Sequence, residues 1–284
     1  MTIMTDPTIT FIGAGNMARS LIGGLITNGF EKSRIWATDP DADKCQKISE
    51  IFGINTSADN GQAATNADII ILAVKPQVIG QVSRALAETI SAPRKDRNVL
   101  VISVAAGILC EDLEDWLGKG TAIVRAMPNT PALVQCGATG LYANQYVTRE
   151  QHDQAESILN AVGLTLWLEE EQMINAVTAL SGSGPAYFFF FMEAIEAAGI
   201  ELGLTAETSR LLTLQTALGA AKMAIESPDS TATLRQKVTS PGGTTERALQ
   251  VLNDAKLHST LENTLRAASD RAAELSKILG KSDG

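Results

Sequence analysis

The sequence predicts an α/β domain with a parallel sheet over residues 1–169, followed by an all-α domain over residues 170–284. Three observations lead to this prediction. Short apolar runs alternate with amphipathic stretches in the first half, a glycine-rich turn follows the first apolar run directly, and strand-like composition is almost absent from Glu170 onward. Alternation of this kind indicates parallel strands joined by helices that cover the sheet. The change of pattern near Glu170 marks the boundary between the two domains.

The elements of the first half follow from the local pattern. Apolar runs that are typical of buried strands cover residues 8–12, 34–38, 69–74, 99–103 and 122–125. Helical stretches lie between them, one from the glycine turn to about residue 28 and the others near residues 41–51, 77–90 and 111–117. Because each helix connects two strands in turn, the order predicts a parallel sheet wrapped by helices.

The turn after the first strand carries the pattern G-x-G-x-x-A. Gly13 is expected to make the turn, Gly15 to let a pyrophosphate approach the backbone, and Ala18 to let the helix pack on the strand. The alternative is a close strand-to-helix packing turn without a ligand. The strand–turn–helix context favours a Rossmann-type dinucleotide-binding domain with phosphates at the helix N-terminus. The cofactor-binding residues of this turn would be Gly13, Ala14, Gly15, Asn16, Met17 and Ala18.

Asp39, which follows the second strand, leaves the choice of cofactor open. An acidic residue at this point could hydrogen-bond a ribose 2′-hydroxyl, which would favour NAD over its phosphorylated form. Asp39 also precedes Pro40, and this pair suits an N-cap and the first position of a helix. No arginine lies directly beside Asp39 to bind a 2′-phosphate, although Thr38 could donate a hydrogen bond to one. Both interpretations of Asp39 stay open.

Residues 240–245, Ser-Pro-Gly-Gly-Thr-Thr, predict a tight turn that leads into a helix. Pro241 cannot donate a backbone hydrogen bond, Gly242 and Gly243 present bare backbone, and the run after them is helical in composition. The first amides of a helix lack intrahelical partners and lie at the positive end of its dipole, which favours an anion. The segment is therefore a candidate site for a small carboxylate. The alternative is an ordinary turn with a threonine N-cap.

The longer stretch from Leu234 to Asp254, LRQKVTSPGGTTERALQVLND, resembles the signature of pyrroline-5-carboxylate reductases. The resemblance covers nearly the whole chain, from the glycine turn to the final helices. It implies an NAD(P)H-dependent oxidoreductase acting on a cyclic C=N bond, which reduces L-1-pyrroline-5-carboxylate to L-proline in the last step of proline biosynthesis. It also implies that NADPH is usually preferred and that NADH is accepted. The acidic side chain of Asp39 argues against a preference for NADPH.

The resemblance further implies which residues form the site. Thr245 would be the catalytic residue, with its hydroxyl against the ring nitrogen of the substrate. The substrate-binding residues would be Glu171, Ser240, Gly243, Thr244 and Thr245. Beyond the glycine turn, the cofactor-binding residues would be Thr38, Asp39, Asn60, Ala73, Val74, Lys75, Pro76, Val104, Ala105 and Ala106. Lys237 departs from the asparagine found at its position in some relatives, so no cofactor contact is assigned to it.

Three charged residues have simpler explanations from their type and position alone. Lys75 would be a solvated loop lysine, Arg125 a member of a strand-end ion pair, and Glu171 a solvated carboxylate at the domain boundary. No residue beside the 240–245 turn is an obvious acid or base. This suits a cyclic imine, because protonation at nitrogen already makes its carbon electrophilic and positioning should dominate catalysis. The proton would come from water through Thr245, or the substrate would arrive protonated.

Two other functions remain as alternatives. One is a related dehydrogenase acting on a hydroxy acid or another imine, but such enzymes commonly position a lysine or aspartate as acid or base. The other is a non-catalytic protein that senses a dinucleotide or serves as a scaffold. Cofactor binding without oxidation that depends on the imine would favour the latter.

The segment Tyr187–Met192, YFFFFM, is too rich in large apolar groups to face water on all sides. It belongs either to the domain core or to a subunit interface, and we favour the interface. The resemblance implies interwoven helical domains that form a homodimer, often within a larger ring such as a decamer. Residues 170–284 would then be an all-α dimerisation domain that also binds the substrate.

Composition predicts a cytoplasmic enzyme without identifying one. The chain has 284 residues, 45% of them hydrophobic, and a formal net charge of -9, which disfavours nucleic acid or an anionic membrane as a partner. Three widely spaced cysteines predict buried, reduced thiols without a disulfide. The two histidines, His152 and His258, belong to no ligand-spaced cluster, so no metal is expected and each is interpreted as a surface helix residue. Residues 1–10 have no basic segment and no long apolar stretch, which argues against a secretory signal.

Overall fold

The computed structural model of the chain describes residues 7–92 and 98–280. It contains two compact units. The first reaches to Ser183 and includes the end of the chain from Ala268 onward, and the second is Gly184–Ala267. The predicted boundary between residues 169 and 170 lies before the boundary between these units. One reason is that Val177, which follows the predicted boundary, packs against the backbone of Gly140 in the sheet of the first unit.

The described part of the first unit contains one eight-stranded sheet. Its strands, in chain order, are β1 Ile9–Ile12, β2 Ile35–Thr38, β3 Asn55–Ser57, β4 Ile69–Leu72, β5 Leu100–Ser103, β6 Ala122–Met127, β7 Gly137–Ala143 and β8 Gly163–Trp167. Their order across the sheet is β3-β2-β1-β4-β5-β6-β7-β8. All five predicted strands are present, as β1, β2, β4, β5 and β6.

Helices connect these strands and make up the second unit. Those of the first unit are α1 Asn16–Thr27, α2 Ala42–Phe52, α3 Asn60–Ala64, α4 Pro76–Ser91, α5 Cys110–Leu117, α6 Arg149–Asn160 and α7 Met173–Val177. The second unit contains α8 Gly184–Glu201, α9 Ala206–Glu226, α10 Thr231–Lys237, α11 Thr244–Asp254 and the first part of α12 Leu257–Leu279. The four predicted helices are α1, α2, α4 and α5. Within the described residues, no helix has both the length and the apolar character needed to cross a membrane.

The sheet is not wholly parallel as predicted. Each neighbouring pair from β3 to β6 is parallel, but β7 runs antiparallel to β6, with Arg125 opposite Tyr142. The connection between β6 and β7 is residues 128–136, which is shorter than the dozen or more residues that a parallel crossover needs. The chain therefore turns back beside β6. The first unit is a Rossmann-type domain extended by a mixed edge.

The core of the first unit lies on both faces of the sheet. Side chains alternate along each central strand, so that Phe11 and Ile71 pack with α1 and α6 on one face. Ile70 and Leu72 pack with α4 and α5 on the other. Strands that are buried on both faces must be apolar throughout, which explains why β1, β4 and β5 were recognisable as continuous apolar runs. The carboxyl ends of these strands are thereby fixed at one edge of the sheet.

In the second unit, α8 and α9 pack closely at one end. Ser209 donates a hydrogen bond of 2.7 Å from its hydroxyl to the Glu196 carbonyl, and a Cβ at Gly199 would lie 2.2 Å from that hydroxyl. A side chain at position 199 would therefore displace the Ser209 hydroxyl from this hydrogen bond. Phe188, Phe189 and Phe190 on α8 keep 64–69% of their surface exposed in the single chain. The three side chains project in different directions around α8, and each is largely uncovered within the described chain.

The cysteines only partly match the prediction. All three are free, and Cys45 and Cys110 are buried as expected. Cys136 is exposed, so its predicted burial is wrong. It follows Gln135, whose left-handed backbone ends a short 3-10 helix in the connection between β6 and β7. A connection of this kind runs over the surface, which leaves the thiol accessible.

Candidate functional site

The first unit has a candidate ligand-binding crevice at the carboxyl ends of its parallel strands. The order of the strands reverses between β1 and β4, which neighbour each other although β2 and β3 come between them in sequence. Ligands of open α/β sheets bind outside the strand ends at such a point. The predicted cofactor-binding residues follow the strands here: Gly13–Ala18 after β1, Thr38 and Asp39 at β2, Asn60 at the start of α3, Ala73–Pro76 after β4 and Val104–Ala106 after β5.

Gly13 is required by the geometry of this crevice. Its φ of +103° is rarely adopted by other residues, and a Cβ at this position would lie 2.7 Å from the carbonyl oxygen of Ala73. Its amide donates a 2.9 Å hydrogen bond to the Thr38 carbonyl. The glycine thus lets the chain pass between the ends of β2 and β4 before α1 begins.

The start of α1 suits a phosphate group. Its N-cap is Gly15, which provides no side-chain cap, and a Cβ at Gly15 would meet no atom within 4 Å. Within the described residues, the amides of Asn16 and Met17 have no hydrogen-bond acceptor. Amides without partners at the positive end of a helix are favourable for an anion. Ala18 is fully buried, as its packing role requires. The residues present therefore fit a dinucleotide.

Asp39 does not have the helix-capping role that was one of its two interpretations. The N-cap of α2 is Asp41, whose carboxylate accepts the amides of Asp43 and Lys44, so Pro40 lies before the helix. Asp39 instead accepts the Ala14 amide at 3.2 Å and the Asp41 amide at 3.0 Å. It is 8% exposed and holds the glycine turn to the end of β2. The capping interpretation is wrong because the helix begins two residues later than the Asp-Pro pair suggests.

Lys44 is a residue of this region that sequence analysis missed. Its ammonium group lies 3.3 and 3.4 Å from the two carboxylate oxygens of Asp39. Nearby, the Thr38 hydroxyl donates to the side-chain carbonyl of Asn60 at 2.6 Å. The sequence contained a signal for this residue, namely a lysine in the first turn of a predicted helix. A cation at that position is unfavourable beside the positive end of the helix dipole unless a nearby anion compensates it.

The strand-end loops after β4 and β5 are mostly accessible to a ligand. Ala73, Val74, Val104 and Ala106 are partly exposed, and Ala105 is buried. Lys75 is exposed at the N-cap of α4 and makes no side-chain cap. Its interpretation as a solvated loop lysine is therefore consistent with the structure, and its predicted contact with the cofactor stays a prediction.

Glu171 is not the solvated carboxylate that its position suggested. Its Oε1 accepts a hydrogen bond of 2.8 Å from the Arg125 guanidinium and one of 2.7 Å from the amide of Cys110, the first residue of α5. Arg125 is 4% exposed, so the pair is largely withdrawn from water. The strand-end ion pair expected for Arg125 is confirmed. Glu171 thus joins β6, α5 and the segment before α7, and its role in substrate binding stays a prediction.

Titratable groups around this ion pair are shifted towards their neutral forms. Burial raises the pKa of the Cys110 thiol, and the negative charge of Glu171 raises it further. Burial also raises the pKa of Asp112 and that of Tyr142. A thiol held neutral in this way is a poor nucleophile. Cys110 is therefore a structural residue of this region.

The predicted turn at residues 240–245 is present in the second unit. The Gly243 amide donates to the Ser240 carbonyl at 3.0 Å, and Gly242 has a φ of +71°. Proline at the second position and a glycine of positive φ at the third are the pattern of a type II turn. Glu246 accepts the Gly242 amide at 2.8 Å. The turn is thus closed by its own hydrogen bonds.

The start of α11 leaves its first-turn amides available. Its N-cap is Gly243 and no side chain caps it, so the alternative of a threonine N-cap is wrong. Within the described residues, the amides of Thr244 and Thr245 and their hydroxyls have no hydrogen-bond partner. The Gly243 amide, predicted to bind the substrate, is engaged with Ser240. The available donors therefore include the amides and hydroxyls of the two threonines.

The histidines lie away from these features. His152, on α6, is not simply a surface residue, because its ring stacks on Trp167 with centroids 3.7 Å apart. His258 is exposed on α12. Over the ranges that the structure describes, no group of three or more His, Cys, Asp or Glu side chains could hold a metal ion.

Comparison with known proteins adds a family to this geometry. Residues 171–275 match the family model of pyrroline-5-carboxylate reductase dimerisation, and residues 8–107 match NADP oxidoreductase coenzyme F420-dependent. The pyrroline-5-carboxylate reductase of Pseudomonas aeruginosa is 50% identical over 278 residues, which are 98% of this chain and 100% of that protein. The chain belongs to the pyrroline-5-carboxylate reductase family. The family predicted from the residues is confirmed, and with it an NAD(P)H-dependent oxidoreductase that reduces pyrroline-5-carboxylate.

Solved structures of the reductase family agree. The enzyme of Coxiella burnetii is similar with a TM-score of 0.91 and 51% identity, covering 95% of this chain and 98% of that one. The Plasmodium falciparum enzyme, solved with NADP bound, has a TM-score of 0.84 and 30% identity, covering 96% of this chain and 99% of that one. The Rossmann-type domain, the helical dimerisation domain and a pyridine nucleotide cofactor are thereby established. The match to a dimerisation domain supports an oligomer.

The Arg125–Glu171 ion pair gives a test of stability. Replacing Glu171 with alanine should lower the free energy of unfolding by about 3 kcal/mol, because a buried guanidinium loses its partner. Glu171→Gln should cost less, since its amide oxygen can still accept the Cys110 amide. Urea unfolding measures both. The control is Glu170→Ala, which removes the same charge from an exposed neighbour and should change stability by less than about 0.5 kcal/mol. Equal stability of Glu171→Ala and Glu170→Ala would contradict a buried pair.

Proposed function

We propose that this chain transfers hydride from NADPH to the C=N carbon of L-1-pyrroline-5-carboxylate, giving L-proline, with the substrate carboxylate bound at the start of α11. This would be the last step of proline biosynthesis. The observation that carries the proposal is the uncapped start of α11, where the amides of Thr244 and Thr245 have no partner among the described residues. A small carboxylate is one of the anions that such amides can bind.

Ser240 and Gly243 act in this proposal through the shape of the turn. Their mutual hydrogen bond fixes the backbone before α11, and the positive φ of Gly242 keeps the turn free of a side chain at its tip. The turn therefore fixes the direction of the Thr244 and Thr245 amides before any ligand binds. A preorganised site loses little free energy to ordering when it binds.

The Thr245 hydroxyl is proposed to contact the ring nitrogen of the substrate. In the reaction the imine carbon gains a hydride and the nitrogen gains or already carries a proton, so one proton donor at nitrogen suffices. The carboxylate within the turn, Glu246, is engaged with the Gly242 amide. The proton is therefore assigned to water relayed by Thr245, or to the substrate itself. Positioning supplies most of the rate acceleration.

The cofactor is proposed to bind along the carboxyl edge of the sheet, where it supplies the hydride when bound. Its pyrophosphate would lie on the amides at the start of α1, and its adenosine ribose near the ends of β2 and β3. The remaining predicted residues, Ala73–Pro76 and Val104–Ala106, would line the path towards the nicotinamide. NADPH is proposed as the preferred cofactor with NADH accepted, because Asp39 is engaged by backbone amides and is not free to select the unphosphorylated ribose.

The assembly proposed is a homodimer, in a ring such as a decamer, formed by the helical part of the chain. Division into a cofactor part, residues 1–169, and a substrate and oligomerisation part, residues 170–284, follows the match that begins at residue 171. The exposed phenylalanines of α8 need a cover, and a second copy of the same face is the simplest one. We propose the cytoplasm as the location.

Thr245→Ala tests the assignment of the hydroxyl. We expect kcat/KM for pyrroline-5-carboxylate to fall about 10- to 100-fold, because a hydrogen bond made to the reacting ring is lost while the backbone amides remain. The dissociation constant of NADP⁺, measured by calorimetry, should stay within about twofold, since the cofactor is held elsewhere. Thr264→Ala is the control, because that hydroxyl donates to its own helix at Thr260. Full activity of Thr245→Ala would refute the assignment.

Sedimentation equilibrium tests the assembly. The chain has a mass of 30.1 kDa, and we expect the purified protein to sediment as twice this mass or an even multiple of it. Phe189→Glu should shift the equilibrium towards single chains, because a charge in a dry interface is costly. Gln46→Glu adds the same charge on the exposed surface of α2 and should leave the mass unchanged. An unaltered mass for Phe189→Glu would mean that this face is not the interface.

A further inference from the structure

We propose that Lys44 is the residue by which this reductase distinguishes NADPH from NADH, its ammonium group binding the 2′-phosphate of the adenosine ribose while Asp39 serves to hold the glycine turn. The proposal deepens the assigned preference for NADPH and rests on it. Two features support it, namely the four contacts of the Asp39 carboxylate and the exposure of the Lys44 side chain.

Asp39 has no acceptor capacity left for a ribose. Its Oδ2 accepts the Ala14 amide at 3.2 Å and its Oδ1 the Asp41 amide at 3.0 Å. The Lys44 ammonium lies 3.3 Å from Oδ1 and 3.4 Å from Oδ2. An ionised carboxylate offers about four lone-pair sites, and these four contacts occupy them. An aspartate that selects NADH must accept hydrogen bonds from the ribose, which Asp39 can do only by giving up contacts that shape the turn.

The contact with Lys44 also reduces the repulsion between Asp39 and a 2′-phosphate. A free carboxylate beside the ribose would repel a 2′-phosphate, but Asp39 is paired with a cation and its side chain is only 10% exposed. The Lys44 side chain is 51% exposed. Within the Asp39–Lys44 pair, the charge that faces solvent is therefore the ammonium group and not the carboxylate.

Lys44 keeps a donor for a second anion. An ammonium group has three N–H donors, and two contacts to Asp39 leave at least one available. Lysine binds phosphate as a compact point charge and needs no bidentate geometry. Its position in the first turn of α2 is unfavourable for a cation by itself, and a dianionic phosphate beside it would offset that cost.

Asn60 adds a neutral donor at the same strand end. Its side-chain carbonyl accepts the Thr38 hydroxyl at 2.6 Å, which directs the amide –NH₂ group away from Thr38. Asn60 is the first residue of α3 and is partly exposed. Asp59 and Asp41, the nearby N-caps, accept backbone amides of their own helices. The strand end thus presents the Asn60 amide and the Lys44 ammonium as donors, while the Asp39 carboxylate is engaged on both oxygens.

Calorimetric titration of the intact protein with NADP⁺ and with NAD⁺ tests the proposal. Lys44→Gln should weaken NADP⁺ binding about 10-fold or more and NAD⁺ binding less than about 2-fold, because only the former has the phosphate. Adenosine 2′,5′-bisphosphate and adenosine 5′-phosphate, used as probes in the same way, should give the same contrast. Lys47→Gln is the matched control, since it removes an equal charge from the same exposed helix farther from the strand end, and both affinities should stay within about 2-fold.

Asp39→Asn separates the two roles at this corner. We expect it to weaken NADP⁺ and NAD⁺ by similar factors, because its effect passes through the glycine turn that both cofactors use. If Asp39 selects the ribose instead, the variant should weaken NAD⁺ alone and raise the NADP⁺ preference. That result would overturn the structural role assigned to it.

The outcomes distinguish failure of this proposal from failure of the proposed preference. If wild type prefers NADP⁺ and Lys44→Gln keeps the same ratio of affinities, Lys44 is not the determinant, although the preference stands. Equal weakening of both cofactors by Lys44→Gln would make Lys44 a support for Asp39 only and would also overturn the proposal. If wild type binds NAD⁺ as tightly as NADP⁺, the preference itself fails and Lys44 has nothing to select.

Discussion

The proposed function depends on backbone amides at the starts of α1 and α11 that have no protein partner among the described residues. α1 and α11 both begin after a glycine and have no side-chain cap. By contrast, five other helices have an N-cap side chain that accepts an amide of the first turn. The N-cap is aspartate in α2 and α3, threonine in α6 and α9, and serine in α10. The uncapped starts are favourable positions for anions. In our proposal one binds the cofactor pyrophosphate and the other the substrate carboxylate, so the same physical device serves both ligands.

The surrounding residues hold these helix starts in place. Gly13 can pass between β2 and β4 only because it lacks a side chain. Asp39 then binds the amide of the next residue, Ala14, and ties the turn to β2. In the second unit, the bond from Gly243 to Ser240 does the same for α11. Each helix start is thus fixed by hydrogen bonds that use the amides before it and leave the first helical amides open.

The parts of the fold that were predictable from sequence are those with local signals. β1, β4 and β5 are buried on both faces and appear as apolar runs, whereas β7 contains Gly137 and Gly140 and has the composition of a loop. Val177 closely approaches Gly140 in this strand, a contact that no local pattern encodes. The candidate site was likewise predictable only where its signals are local. The 240–245 turn was predictable from six adjacent residues, but the bond between Glu171 and Cys110 joins positions 61 residues apart.

The central claim is that peptide amides at the start of α11 hold the substrate by its carboxylate. The most direct measurement compares steady-state oxidation of NADPH by the wild-type protein with L-1-pyrroline-5-carboxylate and with 1-pyrroline, the same cyclic imine without the acid group. We expect kcat/KM to be at least about 100-fold lower for 1-pyrroline, because an imine without a carboxylate cannot be anchored by these amides. Equal kcat/KM values for the two imines would contradict the account.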